Sequence, residues 1–157
     1  MRLTHYTDYA LRTLIYLGLC KPQQATISEI SQAYEISENH LVKVVHRLGQ
    51  LGLIKTNRGR GGGLRLALPP SEIIVGQVVR QTEDDLALVE CFVNGGCIIT
   101  NTCRLRGVLG EALEAFFGVL DRYSLADLLK DDAGSETAKL LGLFPLLTST
   151  GESSRGI

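Results

Sequence analysis

Cys91, Cys97 and Cys103 fall within thirteen residues at the spacing C-x5-C-x5-C. Thiolates are soft donors that suit iron–sulfur clusters and zinc. The spacing is not the paired C-x2-C of zinc knuckles and ribbons. Asn94-Gly95-Gly96 makes the segment pliable enough to fold three thiolates around one centre. The residues alone leave three readings open. One is an iron–sulfur cluster, which needs a fourth group or leaves one iron open. Another is zinc with a fourth ligand from elsewhere, and the third is three ordinary reduced thiols. No fourth cysteine lies nearby, and the histidines, His5, His40 and His46, are far away in sequence. Cys20 closes an apolar helix and reads as a small buried side chain.

A second constellation is polar. Asn39, Lys43, His46 and Gln50 fall on one stripe of a helix, with Ser37 and His40 flanking its start. Asn and Gln bond adenine edges, and Lys reaches guanine or phosphate. Taken alone, the stripe also fits an ordinary solvated face. Arg58-Gly59-Arg60 precedes three further glycines, and two arginines on a pliable tip suit a narrow minor groove. Catalytic signatures are lacking. The sequence has no G-x-S-x-G elbow, and the Gly59–Gly63 run lacks the G-K-[ST] ending of a phosphate loop. The expectation is a binding protein rather than an enzyme.

These side chains need elements to hold them. Ala10, Leu11, Leu14, Ile15 and Leu17 predict a helix over 7–19, capped by Thr7 or Thr4 and ended by Lys21-Pro22. Thr26-x-x-Glu29 is a capping box opening a second helix that buries Ile27, Ile30 and Ala33. After a turn at 34–36, Ser37 caps a third helix running to about Gln50, with Leu41, Val44, Val45, Leu48 and Leu51 as its apolar positions. Two short helices joined by such a turn make a helix-turn-helix, here about 28–51. Strands at 53–56 and 64–68 flank the glycine-rich tip, and that order is a winged helix. Ser37, Asn39, His40 and Lys43 are the expected major-groove contacts. Arg58 and Arg60 are the expected minor-groove or phosphate contacts.

Beyond Pro69-Pro70, a helix at about 75–83 turns Val75, Val78 and Val79 inward, and 82–85 reads as exposed and acidic. The longest helix spans 104–122 with an apolar stripe of Leu105, Val108, Leu109, Ala112, Leu113, Phe116 and Leu120. Such a stripe needs a surface, and a two-fold homodimer matched to a palindromic operator supplies one. Ser124-x-x-Asp127 opens a short helix. Leu140, Leu141, Leu143, Phe144 and Leu146 lie in a tail that docks weakly, and the end is polar and expected to be disordered.

The 157 residues are 45% hydrophobic and 21% charged, enough for one core and against global disorder. No apolar run is long enough to span a membrane, and residues 1–8 lack a signal-peptide core. The expected location is the cytoplasm, where thiols stay reduced. Residues 1–68 carry nine Lys/Arg against four Asp/Glu, and 69–157 carry seven against thirteen. A basic head on an acidic body fits a polyanion partner. The fold class is mainly α: a winged helix-turn-helix with a long C-terminal dimerisation helix. Its parts are a DNA-binding region (1–68, wing 53–68), a connecting helix and cysteine loop (69–103), the dimerisation helix with a short following helix (104–130), and a tail (131–157).

Four stretches together carry a family resemblance: Met1-Arg-Leu-Thr-His-Tyr-Thr-Asp-Tyr-Ala-Leu-Arg12, Asn39-His-Leu-Val-Lys-Val44, Arg58-Gly-Arg-Gly-Gly-Gly-Leu-Arg65 and the three cysteines. They resemble the NsrR-type nitric-oxide-sensing repressors, relatives of the cluster regulator IscR, over roughly residues 1–130. The resemblance implies that Cys91, Cys97 and Cys103 ligate a cluster. It implies that Asp8 matches the carboxylate completing a 4Fe–4S cluster from the partner subunit. The IscR type lacks an acid there and uses a histidine close after its cysteines, whereas the last histidine here is His46. Without the resemblance, Asp8 is a first-turn carboxylate favoured by the helix dipole. Related expectations are a 2Fe–2S regulator of iron, cluster supply or redox state, and a zinc-stabilised winged-helix module with no sensing role. The tail after residue 130 departs from the resemblance.

Overall fold

The computed structural model describes residues 2–20, 24–57, 59, 61–95 and 97–143. Helix α1 (His5–Leu19) begins two residues earlier than expected because Thr4, not Thr7, is the cap; its hydroxyl accepts from the Thr7 amide. Thr7 is instead buried, and its hydroxyl donates to Thr82 Oγ1 at 2.9 Å. Ala10, Leu14 and Leu17 place α1 in the middle of the core. The expected stop at Lys21-Pro22 lies outside the described residues.

Helix α2 (Ile27–Tyr34) opens with the expected capping box. Its Glu29 carboxylate accepts from the Thr26 amide at 2.6 Å. Glu35 then takes a left-handed conformation (φ 55°), which turns the chain sharply into α3 (Glu38–Gln50). Ser31 Oγ braces the turn by donating to the Ile36 carbonyl. Leu41, Val44, Val45 and Leu48 of α3 are buried, as their spacing predicts.

Strands β1 (Ile54–Asn57) and β2 (Gly63–Leu66) pair antiparallel, from Ile54↔Leu66 to Asn57↔Gly63. Leu53, expected in β1, first closes the end of α3 through its amide to the Leu48 carbonyl, and its own carbonyl takes the Ala67 amide. Gly59 and Gly61 have φ of 103° and 78°, values that favour glycine, at the tip.

Helix α4 (Val75–Thr82) buries Val75, Val78 and Val79. Thr82, expected to be exposed with the acidic residues after it, is buried, because its hydroxyl joins Thr7 and the Val78 carbonyl. Segment 83–103 carries two short 3-10 turns, Glu90–Phe92 and Thr100–Thr102. Helix α5 (Arg104–Leu120) follows, and then α6 (Leu125–Leu128) with its Ser124/Asp127 capping box. Backbone bonds from Val75 N to Tyr123 O and from Leu125 N to Ile73 O return the chain to the head.

In α5 the buried side chain is Phe117, not a member of the expected stripe. Leu105 and Val108 are 62% and 59% exposed, so the N-terminal part of the stripe is uncovered in the single chain, while Leu109, Leu113, Phe116 and Leu120 are half-buried. Residues 131–140, expected as part of a tail, form α7 (Asp131–Leu140). Ala138 and Leu143 join the core, while Leu140 faces solvent. Phe144 and Leu146 lie outside the described residues. Among the described residues no helix is long and apolar enough to cross a membrane.

Candidate nucleic-acid interface and metal centre

The outward face of α3 carries Asn39, His40, Lys43, His46 and Gln50, all exposed. Ser37 occupies the N-cap position, but its hydroxyl makes no capping hydrogen bond. Its carbonyl accepts from His40 N and Leu41 N, so the backbone alone starts the helix. That corrects the expected capping role and leaves Oγ outside the helix's own hydrogen bonds. Val42, 51% exposed on the same helix, was missed among the polar residues. The signal for it was present: it is an apolar residue outside the 41, 44, 45, 48 stripe. Arg58 and Arg60 lie outside the described residues, while β1 and β2 on either side form the wing that bears them.

Two tyrosines of α1 brace this face. Tyr9 stacks on His40 with ring centres 6.2 Å apart, and the Tyr6 hydroxyl donates to the Lys43 carbonyl at 3.3 Å. Periodicity in α1 did not reveal either contact, since both depend on how α1 crosses α3.

The cysteines bracket an exposed loop. Cys91 lies in the first 3-10 turn, Cys97 is exposed mid-loop, and Cys103 is the N-cap residue of α5. All three are free thiols. The Thr100 hydroxyl donates to the Cys97 carbonyl at 2.7 Å, and Gly95 turns with φ 59°. Cys103 lines an open cleft of about 500 Å³ with Phe92, Thr100, Arg106, Gly107 and Gly110. The first-turn amides of α5 lack partners within the helix and place partial positive charge beside the Cys103 thiol. The donor set, three accessible thiols on a pliable loop, fits a soft-metal cluster. Yet among the described residues no three or more His, Cys, Asp or Glu side chains stand together closely enough to hold a metal. One chain does not gather the expected ligands.

Asp8 points outward from the first turn of α1, where Arg12 meets both its oxygens at 3.0 and 3.1 Å. The pair is about two-fifths exposed, so it contributes little to stability. The Arg12 guanidinium also lies over the Tyr34 ring of α2 at 5.7 Å.

The model of the Rrf2 family, described as an iron-dependent transcriptional regulator, matches residues 3–131. The chain belongs to the Rrf2 family. This Rrf2 regulator is 57% identical over 136 residues to the HTH-type transcriptional regulator NsrR of Geobacillus kaustophilus, covering 85% of this chain and 92% of that one. It is 53% identical to the NsrR of Bacillus subtilis over 134 residues, covering 83% and 92%. Among solved structures, its fold resembles CymR, described as the global cysteine regulator of B. subtilis. That match has a TM-score of 0.69 and 26% identity over 86% of this chain and 98% of the other. The fold of T. potens IscR is likewise similar, with a TM-score of 0.70 and 24% identity over 87% and 91%. The mainly helical winged fold of this Rrf2 member is thus that of transcription regulators.

Proposed function

We infer that this Rrf2 regulator is a DNA-binding repressor that responds to nitric oxide through an iron–sulfur cluster. Cys91, Cys97 and Cys103 hold the cluster, of 4Fe–4S type, and Asp8 of a second copy completes it. The observation that carries this reading is the placement of the donors: three free thiols on an exposed loop, and a carboxylate facing outward from another helix. Among the described residues one chain does not gather these donors; the pliable loop would close its three thiols around the cluster, and in a homodimer the other chain's α1 would bring Asp8 to it. The uncovered N-terminal part of the α5 stripe supplies the surface for that dimer. The relatives named NsrR, at up to 57% identity, support the nitric-oxide reading.

When bound, such a cluster supplies iron open to a small diatomic ligand, because a hard carboxylate is a weaker match to it than thiolate. The chain's own residues do the rest. Asp8 would be the carboxylate ligand, and its exposed ion pair with Arg12 is cheap to break. Arg12 keeps its contact with Tyr34, at the end of α2, the first helix of the helix-turn-helix. Tyr9, next to Asp8, stacks on His40, so a shift at Asp8 reaches the face that reads DNA. Ser37, Asn39, His40 and Lys43 enter the major groove. Val42 packs on a thymine methyl, and Arg58 and Arg60 reach the minor groove or phosphate. Without the tie that Asp8 would make, one head would be free of the other chain's loop, and the two half-sites would no longer be held in register.

The test is iron and acid-labile sulfide per chain on protein purified without oxygen, with operator affinity before and after nitric oxide. Roughly four irons and four sulfides are expected, with loss of DNA affinity on exposure to nitric oxide. Asp8→Ala is expected to shed iron faster to a chelator. Unchanged operator affinity after nitric oxide overturns the sensor reading. Two irons per chain would instead favour a redox or cluster-supply regulator, and tight zinc without sulfide a structural module.

A further inference from the structure

Helix α5 joins the reading head at one end. Its C-terminal end is fixed by the Val75–Tyr123 and Ile73–Leu125 backbone bonds, and by a side-chain clamp from α4. In the clamp, the Arg80 guanidinium donates to both Asp121 oxygens, at 2.6 and 2.8 Å. The same guanidinium lies over the Phe117 ring, 4.1 Å from its centre. Gly76, one turn before Arg80, leaves the room that the Asp121 carboxylate occupies, and a Cβ there would collide with Oδ1. The ion pair itself is about two-fifths exposed, as Asp8–Arg12 is, so it is the combination of a planar fork, a stacked ring, a glycine cradle and the two backbone bonds, not ion-pair strength, that acts on one joint. Lys could not reproduce the fork. The hydrogen bonds from Arg80 hold the Asp121 carboxyl below the usual carboxylate range, in keeping with a formed pair.

Among the described residues the other end of α5 has no comparable hold. From Arg104 to Ala112 its side chains are exposed or half-buried, and Cys103 sits at its tip. Seventeen residues of helix make an arm of about 25 Å. A tilt of about 10° at the clamp moves the far end by about 4 Å, more than the 3.4 Å step between base pairs.

We propose that Arg80, clamped on Asp121 over Phe117, is a positioning residue that sets the angle between the reading head and α5, and thereby the half-site spacing the regulator accepts. The inference rests on the dimeric DNA-binding reading above. It assigns Arg80 no contact with DNA or metal.

The experiment uses the full chain purified without oxygen. A palindrome is first selected from randomised double-stranded DNA with the wild-type protein. Affinities are then measured for that palindrome and for versions with the spacer one base pair shorter or longer. Arg80→Lys, Asp121→Asn and Gly76→Ala are compared with wild type, with mass in solution and thermal midpoint as controls. The expected result is that the variants remain dimers and bind a single half-site as wild type does, but lose the preference for the native spacer. A merely stabilising pair would lower the thermal midpoint and leave spacer preference intact, and that outcome overturns the proposal. If one variant does not fold, the other two decide. If the wild type is a monomer or selects no DNA, the reading under Proposed function fails, and this inference with it. If it dimerises and binds while every folded variant keeps its spacer preference, only this inference fails.

Discussion

Cys20 and the three loop cysteines show how burial divides one residue type into two chemistries. Cys20 is buried where α1 ends, and burial pushes its thiol from an ordinary 9.0 up to about 11. Thiolate, not thiol, is the reactive form, so Cys20 resists labelling at neutral pH. In the cluster-free protein, a thiol reagent should modify Cys91, Cys97 and Cys103 quickly and Cys20 only on unfolding. The burden of modification, read by mass spectrometry, checks this. Rapid labelling of Cys20 would contradict its burial. The same shift has a sign for stability. The folded state holds the Cys20 proton more tightly than the unfolded chain does. Its contribution is complete below pH 9 and is lost as pH rises through about 11. Cys20→Ala should therefore flatten the alkaline limb of the stability curve.

At the scale of elements, α5 is the part whose sequence demands more than its own chain supplies. Its stripe is apolar at helical spacing, yet Leu105 and Val108 remain mostly exposed, and Phe117 is the side chain taken into the fold. Exposed apolar rows of this kind mark protein interfaces. Val108→Glu places a charge in the stripe without touching the core of the reading head. It should convert the protein to a monomer in light-scattering measurements while helical content and thermal midpoint change little. A variant that stays dimeric would show that the chains meet elsewhere.

For the whole molecule, α1 is the helix on which several of the other elements pack. It packs on α3, α4, β2 and α6, and its first two turns carry both the candidate ligand Asp8 and the tyrosines that contact α3. One polar seam runs through this core, where Thr7 donates to Thr82 and Thr82 to the Val78 carbonyl. Thr7→Val keeps the shape but removes one buried hydrogen bond, at a cost of about 1 kcal/mol. The expected readout is a lower urea midpoint with an unchanged slope. A larger loss with an altered slope would mean that the native packing itself had moved.

Much of this was legible in the residues. The capping boxes at Thr26 and Ser124, the 41, 44, 45, 48 stripe and the glycine-rich hairpin are local patterns. Local hydrogen bonds and side-chain periodicity need only neighbouring residues, so sequence by itself determined these elements and their order. The same holds for the cysteine spacing and for the polar face of α3. Other features were decided only by tertiary structure, because they join residues distant along the chain. The burial of Thr82 depends on Thr7, 75 positions earlier, and the Arg80–Asp121 clamp spans 41. Phe117 is buried, and not the expected stripe, because α4 meets α5 on that side. Helix α7 escaped the sequence reading because its few apolar residues gain stability only on reaching the core beside α1. Periodicity reports which side of an element is apolar; which neighbour covers it is settled when the elements pack.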